Sequence, residues 1–194
     1  MPTLAHPSTL PLPPFRTAPL FGVALPIYSR ACCRYLEGGI DQCVPSLVLA
    51  TLSTHWALVF QWRGETKIWL ARGAPRRWYN ASEGGFAVER VPTRFGSVSF
   101  AAATTAAGSA AANISFAPPP FSSRGGAGEL LIVVRLRPLS PGQALSGASV
   151  DSVEPPGASV RLVDASAESE TVTVSLGEMT ALVSFTVRAT FVVT

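Results

Sequence analysis

The chain has little charge, one lysine, two histidines and no long uninterrupted apolar run. Charged residues make up 14% of its 194 positions and hydrophobic residues 47%. Wholesale disorder needs the opposite balance, low hydrophobicity with high net charge, so most of the chain is expected to fold. A chain of this length can bury one substantial core. The most apolar stretch, 44–60, is broken by Pro45, Ser46, Thr51, Ser53, Thr54 and His55. No segment offers the roughly 18 consecutive apolar residues of a spanning helix, so a membrane span is not expected. Lys67 is the sole lysine, the net charge is only +3, and arginines are spread along the whole length. Phosphate binding needs basic residues gathered on one face, and no nucleic-acid motif is present, so nucleic acid is not an expected partner.

Cysteine is confined to Cys32, Cys33 and Cys43, which excludes a disulfide framework for the region from Leu47 onward. One bridge from Cys43 to either neighbour is open in an oxidising compartment; free thiols without a role are the simpler reading. With His6 and His55 as the only histidines, the cysteines lack zinc-site spacing. The chain also lacks a Gly-x-Ser-x-Gly elbow, a phosphate-binding loop, a His-Glu-x-x-His pair and a dinucleotide glycine pattern. The sequence therefore assigns no catalytic residue, no metal and no cofactor. His55, beside Trp56, reads as a helix-end or packing histidine, since a base needs a partner within reach. Twelve carboxylates could supply the pair used in glycoside hydrolysis. Glu83, Glu89 and Glu129 lie near the aromatic and arginine-rich region, but a solvated surface carboxylate is the default for each.

What is present divides the chain in three. Residues 1–36 hold no acid, three arginines and prolines at 2, 7, 11, 13, 14, 19 and 26, a pattern that propagates neither helix nor ladder. They read as a disordered or targeting-like leader. The acid-poor composition with Ser, Thr and Arg resembles an organelle transit peptide, though the prolines spoil its amphipathic helix, and a secretory signal fits less well for want of an early positive residue and an unbroken apolar run. Residues 37–55 read as a linker and one helix, about 45–55, with Pro45 in its first turn. Residues 56–194 read as an all-β domain. A hairpin is expected from Trp56–Trp62 and Lys67–Ala71, a helical turn opened by Pro75, and a loop over 80–85. Further strands are expected at 86–91, 97–101, 113–116, 129–137, 149–153, 159–163, 171–176 and 180–193. The Ala, Ser and Thr tract at 101–112 reads as a poorly packed connection. Val172, Val174 and Leu176 share one face, Val183, Phe185, Val187 and Ala189 another, and 130–134 is apolar on both sides as in a central strand. The expectation is two antiparallel sheets packed as a β-sandwich.

Trp56, Trp62, Trp69 and Trp78 fall close together with Phe60, Tyr79 and Phe86. Aromatic faces stack on sugar rings, which makes Trp62, Trp69 and Trp78 candidate carbohydrate contacts. Core filling is the commoner use of large aromatics, and the even separation of Trp56 and Trp62 would point both to one face of a strand. Both asparagines of the chain stand in glycosylation sequons, Asn80-Ala81-Ser82 and Asn113-Ile114-Ser115; Asn113, expected in a strand, is the poorer acceptor.

The segments Trp69-Leu70-Ala71-Arg72-Gly73-Ala74-Pro75-Arg76-Arg77-Trp78 and Val91-Pro92-Thr93-Arg94-Phe95-Gly96-Ser97-Val98-Ser99 resemble the C-terminal β-sandwich region of six-hairpin glycosidase-like proteins. Val133-Val134-Arg135-Leu136-Arg137-Pro138 is similar to an arginine-rich strand of that region, and Glu170–Val174 to a late strand. The resemblance spans about 37–190. It implies that the first segment follows the last helix of an upstream (α/α)6 barrel, and that Arg72, Pro75, Arg77, Pro92, Thr93, Arg94 and Gly96 form a structural motif. At most one helix fits here, so the catalytic barrel would be missing. The resemblance implies a non-catalytic accessory domain of a carbohydrate-active protein, a piece without its barrel, with a carbohydrate or an (α/α)6 domain as partner. The alternative is a free-standing carbohydrate-binding or adhesive module; an independent small hydrolase comes third.

Overall fold

The computed structural model describes residues 44–119, 129–178 and 181–194. The leader at 1–36, the three cysteines and Thr180, the expected start of the last strand, lie outside the described residues. Among the described residues one α-helix, α1 (Val44–Leu58), leads into ten strands. These are β1 (Val59–Phe60), β2 (Lys67–Leu70), β3 (Phe86–Thr93), β4 (Gly96–Thr104), β5 (Ser109–Ala117), β6 (Leu130–Arg135), β7 (Gln143–Glu154), β8 (Val160–Ser166), β9 (Thr171–Leu176) and β10 (Val183–Val193). The first sheet has the order β1-β2-β6-β9-β8 and the second β3-β4-β5-β10-β7. The fold is an all-β, sandwich-like pair of sheets with one helix.

Alternation builds the second sheet. In β10, Val183, Phe185, Val187, Ala189 and Phe191 are buried, while the residues between them are half-buried or exposed. The same rule holds along β4 and β5, where Val98, Phe100, Ala102 and Thr104 pack inward beside Ala110, Ala112, Ile114 and Phe116. Thus the alanine-rich tract is not a loose connection: outside the exposed turn at 105–107, Ala102, Thr104, Ala110 and Ala112 line the core beside Phe116 and Phe185. In the first sheet β6 is central and apolar on both faces, with Ile132 and Val134 in the core.

Three expectations are corrected. The first concerns strand direction: β2 pairs with β6 in parallel, Lys67 opposite Leu131 and Leu70 opposite Val134. Between them the chain crosses to the other sheet for β3, β4 and β5, and such a crossover is what a parallel neighbour requires. The second is the boundary at 55/56. α1 continues to Leu58 and leaves only Val59 and Phe60 to pair with Leu70 and Trp69, so Trp56 is helical and shares no strand face with Trp62. The helix runs on because its last carbonyls find partners. Ala71 N–H donates to Leu58 O at 2.7 Å and Gly73 N–H to Ala57 O at 2.8 Å, capping groups that would otherwise be orphaned. Gly73 permits this approach, since a Cβ there would sit 2.9 Å from Ala57 Cβ. The third correction is that core filling does not account for Trp56 and Trp62, which are 52% and 56% exposed.

The Pro92–Gly96 segment is the β3–β4 turn, with Pro92 and Thr93 still in β3. Thr93 Oγ1 donates to Gly96 O at 2.7 Å and accepts from Phe95 N–H at 3.2 Å. Gly96 takes φ +141°, and a Cβ there would lie 2.1 Å from Ala117 O. Only glycine fits, because the backbones of β4 and β5 meet there. No helix among the described residues is long and apolar enough to cross a membrane.

Candidate functional site: an aromatic and arginine face of the first sheet

The first sheet carries two adjoining clusters on the residues that flank and alternate with its core positions. The aromatic one begins at β1. Phe60 meets Trp62 edge to face at 5.1 Å between centroids. The Arg72 guanidinium lies 5.0 Å from the Phe60 ring centre and 5.4 Å from that of Trp69. Lys67 Nζ lies 5.9 Å from the Trp69 ring centre. Antiparallel pairing of Phe60 with Trp69 sets the two rings side by side, and cations at this range are attracted by the ring quadrupole. Trp62 and Trp69 thus join one aromatic ladder. Trp78 does not: it meets Phe86 at 6.1 Å and packs against the core with Tyr79 and Phe100.

The charged cluster sits at the end of β6. Pro75 opens a 3₁₀ turn, Arg76–Tyr79; its fixed φ suits a first helical position. Arg76 reaches Glu170 Oε1 at 2.5 Å and Pro138 O at 3.1 Å. Arg135 Nη2 and Arg137 Nε each lie 3.5 Å from Glu170 Oε2. The Glu170 side chain is only 10% exposed, and its backbone is left-handed at φ +55°. Beneath the cluster, the fully buried Tyr79 donates from its hydroxyl to Arg135 O at 2.6 Å. Burial raises the Tyr79 pKa above its ordinary value, against the opposing pull of the Arg137 and Arg135 charges. Burial lowers the Arg137 pKa, and the like charge of Arg135 adds to that effect. Arg135 Nη1 donates to Arg72 O at 3.2 Å, which ties the charged cluster to the aromatic ladder.

Near the opposite end of β6, Glu129 accepts from Ser175 Oγ and, at 2.8 Å, from Arg161 Nη2. The Ser175 hydrogen bond, then that of Arg161, holds the Glu129 pKa below the usual carboxylate value.

Of the other candidates, Arg77, Pro92 and Arg94 are exposed and Pro75 half-buried. Arg94 stacks over Phe95 at 4.5 Å, and its N–H donates to Gln61 Oε1 at 3.2 Å. Asn80 Oδ1 accepts from Ser82 N–H and Oγ, while its Nδ2 donates to Glu83 Oε1 at 3.0 Å. Asn113 sits inside β5 between β4 and β10, and its Oδ1 accepts from Thr186 Oγ1 at 2.9 Å. Glu89 is exposed on β3, apart from either cluster in the pairing. His55 lies in the last turn of α1 and is exposed.

The residues that carry the charged cluster, Arg76, Arg135, Arg137 and Glu170, were not singled out as a site from sequence. The spacing of Arg135 and Arg137 is the one available signal, since period two places both on one side. Among the described residues no group of three or more His, Cys, Asp or Glu could hold a metal ion. A cleft of about 230 Å³ near the β8 start is lined by Pro155, Pro156, Val160, Glu178 and Val183, and carries neither aromatic nor arginine. The chain matches no protein-family profile, no curated protein and no solved structure.

Proposed function

We propose that this chain is a non-catalytic β-sandwich accessory domain of a carbohydrate-active, glycosidase-like protein, and that α1 is the surface on which a helical domain rests. The observation that carries the reading is the state of α1. From Val44 to Leu58 it holds no Asp, Glu, Lys or Arg, and all positions from Val48 to Trp56 are exposed, Val48, Leu49, Leu52 and Trp56 among them. A helix without charge on any side and with large apolar side chains at several of its exposed positions is normally covered in a folded protein. Its C-terminal end is held by the sandwich, through the carbonyls of Ala57 and Leu58, while 48–56 stand exposed. α1 precedes the Leu70–Trp78 segment with the short β1–β2 hairpin between them, an order that fits the sequence resemblance, which sets that segment after the last helix of an (α/α)6 barrel. Helix packing against other helices would cover the apolar sides.

The alternative, a free-standing carbohydrate-binding module, is favoured by the ladder of Trp62, Phe60, Arg72 and Trp69. The exposed Trp62 and the half-buried Phe60 and Trp69 beside the Arg72 guanidinium suit the apolar face and hydroxyl rim of a sugar. The two readings separate experimentally. The coding DNA upstream is read for an in-frame helical region, the two are expressed as one chain, and hydrogen exchange of α1 is compared with and without it. Strong protection of α1 only in the longer chain supports the accessory reading. Absence of such a region, with glycan binding lost in Trp62→Ala, supports the free-standing module.

A further inference from the structure

The Glu170 cluster does not balance its own charge among the described residues. Three guanidinium groups converge on one carboxylate, so two positive charges meet no second anion there, in a partly desolvated place. Arg76 uses both terminal nitrogens, on Pro138 O and Glu170. Arg135 uses both of its own, on Arg72 O and Glu170. Arg137 differs. Its Nε is buried and lacks a hydrogen-bond partner, as does Nε of Arg135, and its terminal nitrogens meet no acceptor among the described residues. Its side chain is 20% exposed, which leaves those nitrogens a way to solvent. Two left-handed non-glycine residues are associated with the cluster: Glu170 at its centre, at φ +55°, and Ala71 at φ +57°, next to Arg72, whose carbonyl Arg135 meets. Such conformations persist where the surroundings over-determine them, and they gather at ligand sites.

We propose that this cluster is an oxyanion-binding site, in which a carboxylate, sulfate or phosphate group docks on the free terminal nitrogens of Arg137 beside Glu170. A planar guanidinium donates two parallel hydrogen bonds to such a group. Glu170 holds the arginines together while the incoming anion supplies the missing negative charge. The group can be free in solution or carried on an acidic saccharide, whose ring would then face Trp69 and Arg72 next door. The site does not depend on α1 having a helical partner.

The test uses the full 194-residue chain, with thermal unfolding and titration calorimetry in sodium chloride and in sodium sulfate at equal ionic strength, then with D-galacturonate against D-galactose. Saturable stabilisation by sulfate or galacturonate, but not galactose, is expected; saturation distinguishes binding from the general exclusion of sulfate from protein surfaces. Loss of a charge-assisted bidentate contact in Arg137→Gln should weaken binding about tenfold or more. Arg188→Gln, which breaks the separate 2.8 Å pair with Asp151, should leave it unchanged. Comparable affinity for sulfate and galacturonate identifies a general oxyanion site, and much tighter galacturonate binding identifies a saccharide-borne acid; both support the proposal. It is overturned if the wild-type chain shows no saturable response to either anion, or if folded Arg137→Gln binds as wild type does. Should Arg137→Gln not fold, the wild-type titrations decide.

Discussion

Replacing Glu170 by Gln tests whether the arginine cluster is held together by charge rather than by shape. The substitution keeps the side-chain size and the backbone bond from Leu136 N–H to Glu170 O at 2.9 Å. It removes the one carboxylate that, among the described residues, pairs with Arg76, Arg135 and Arg137. Breaking a buried ion pair by deleting one partner costs about 3–5 kcal/mol. The three guanidiniums retain 20–32% of their exposure, so water screens part of the remaining repulsion and the low end, about 3 kcal/mol, applies. For a domain of this size each kcal/mol moves the midpoint by about 2–4 °C, so Tm should fall by about 6–12 °C. Circular dichroism melts of wild type, Glu170→Gln, Arg137→Gln and the double variant give the coupling, expected to be about 1 kcal/mol or more. A Tm loss below about 2 °C, or strict additivity in the cycle, would refute the reasoning.

Gly96→Val should lower Tm by about 4 °C or more, because a Cβ at φ +141° would lie 2.1 Å from Ala117 O and strain of this kind costs about 2 kcal/mol or more; an unchanged melt would deny the close approach of β4 and β5. Because Ser175 and Arg161 depress the Glu129 pKa below 4.5, the carboxylate's contribution is present above its unfolded value and fades as pH falls through the lower folded one. An NMR titration should therefore place the Glu129 midpoint below that of a free carboxylate, and Ser175→Ala should raise it; equal midpoints would contradict the assigned cause. In a secretory host Asn80, in its surface turn, should accept a glycan while Asn113, inside β5 and bonded to Thr186, should not; mass spectrometry of the two peptides decides.

The sandwich was legible where alternation was strong. β9 matches its expected bounds at Thr171–Leu176, and β10 buries the alternate set Val183, Phe185, Val187 and Ala189. Alanine was misread because composition hides period: Ala102, Ala110 and Ala112 carry little hydrophobic signal yet occupy inward positions. The parallel β2–β6 pair could not be read, since pairing across sixty residues depends on which sheet the intervening hairpins join. The tryptophans misled because separation by six is decisive only if a strand links them, and the hydrogen bonds from Ala71 and Gly73 prolong the helix past Trp56. The charged cluster was hidden by distance in sequence, Arg76 and Glu170 being 94 residues apart.

The claim that this chain serves a carbohydrate-active protein as a domain that does not itself cleave glycans is tested most directly by incubating the purified protein with a broad panel of plant, algal and bacterial polysaccharides and measuring reducing ends and unsaturated products. Glycoside cleavage needs two carboxyl groups at a defined separation across a cleft. In the described structure Glu129 is committed to Ser175 and Arg161, and Glu170 to three arginines. The account predicts no product above that of a heat-denatured control. Turnover that a single Glu or Asp substitution abolishes, with the fold retained, would contradict it.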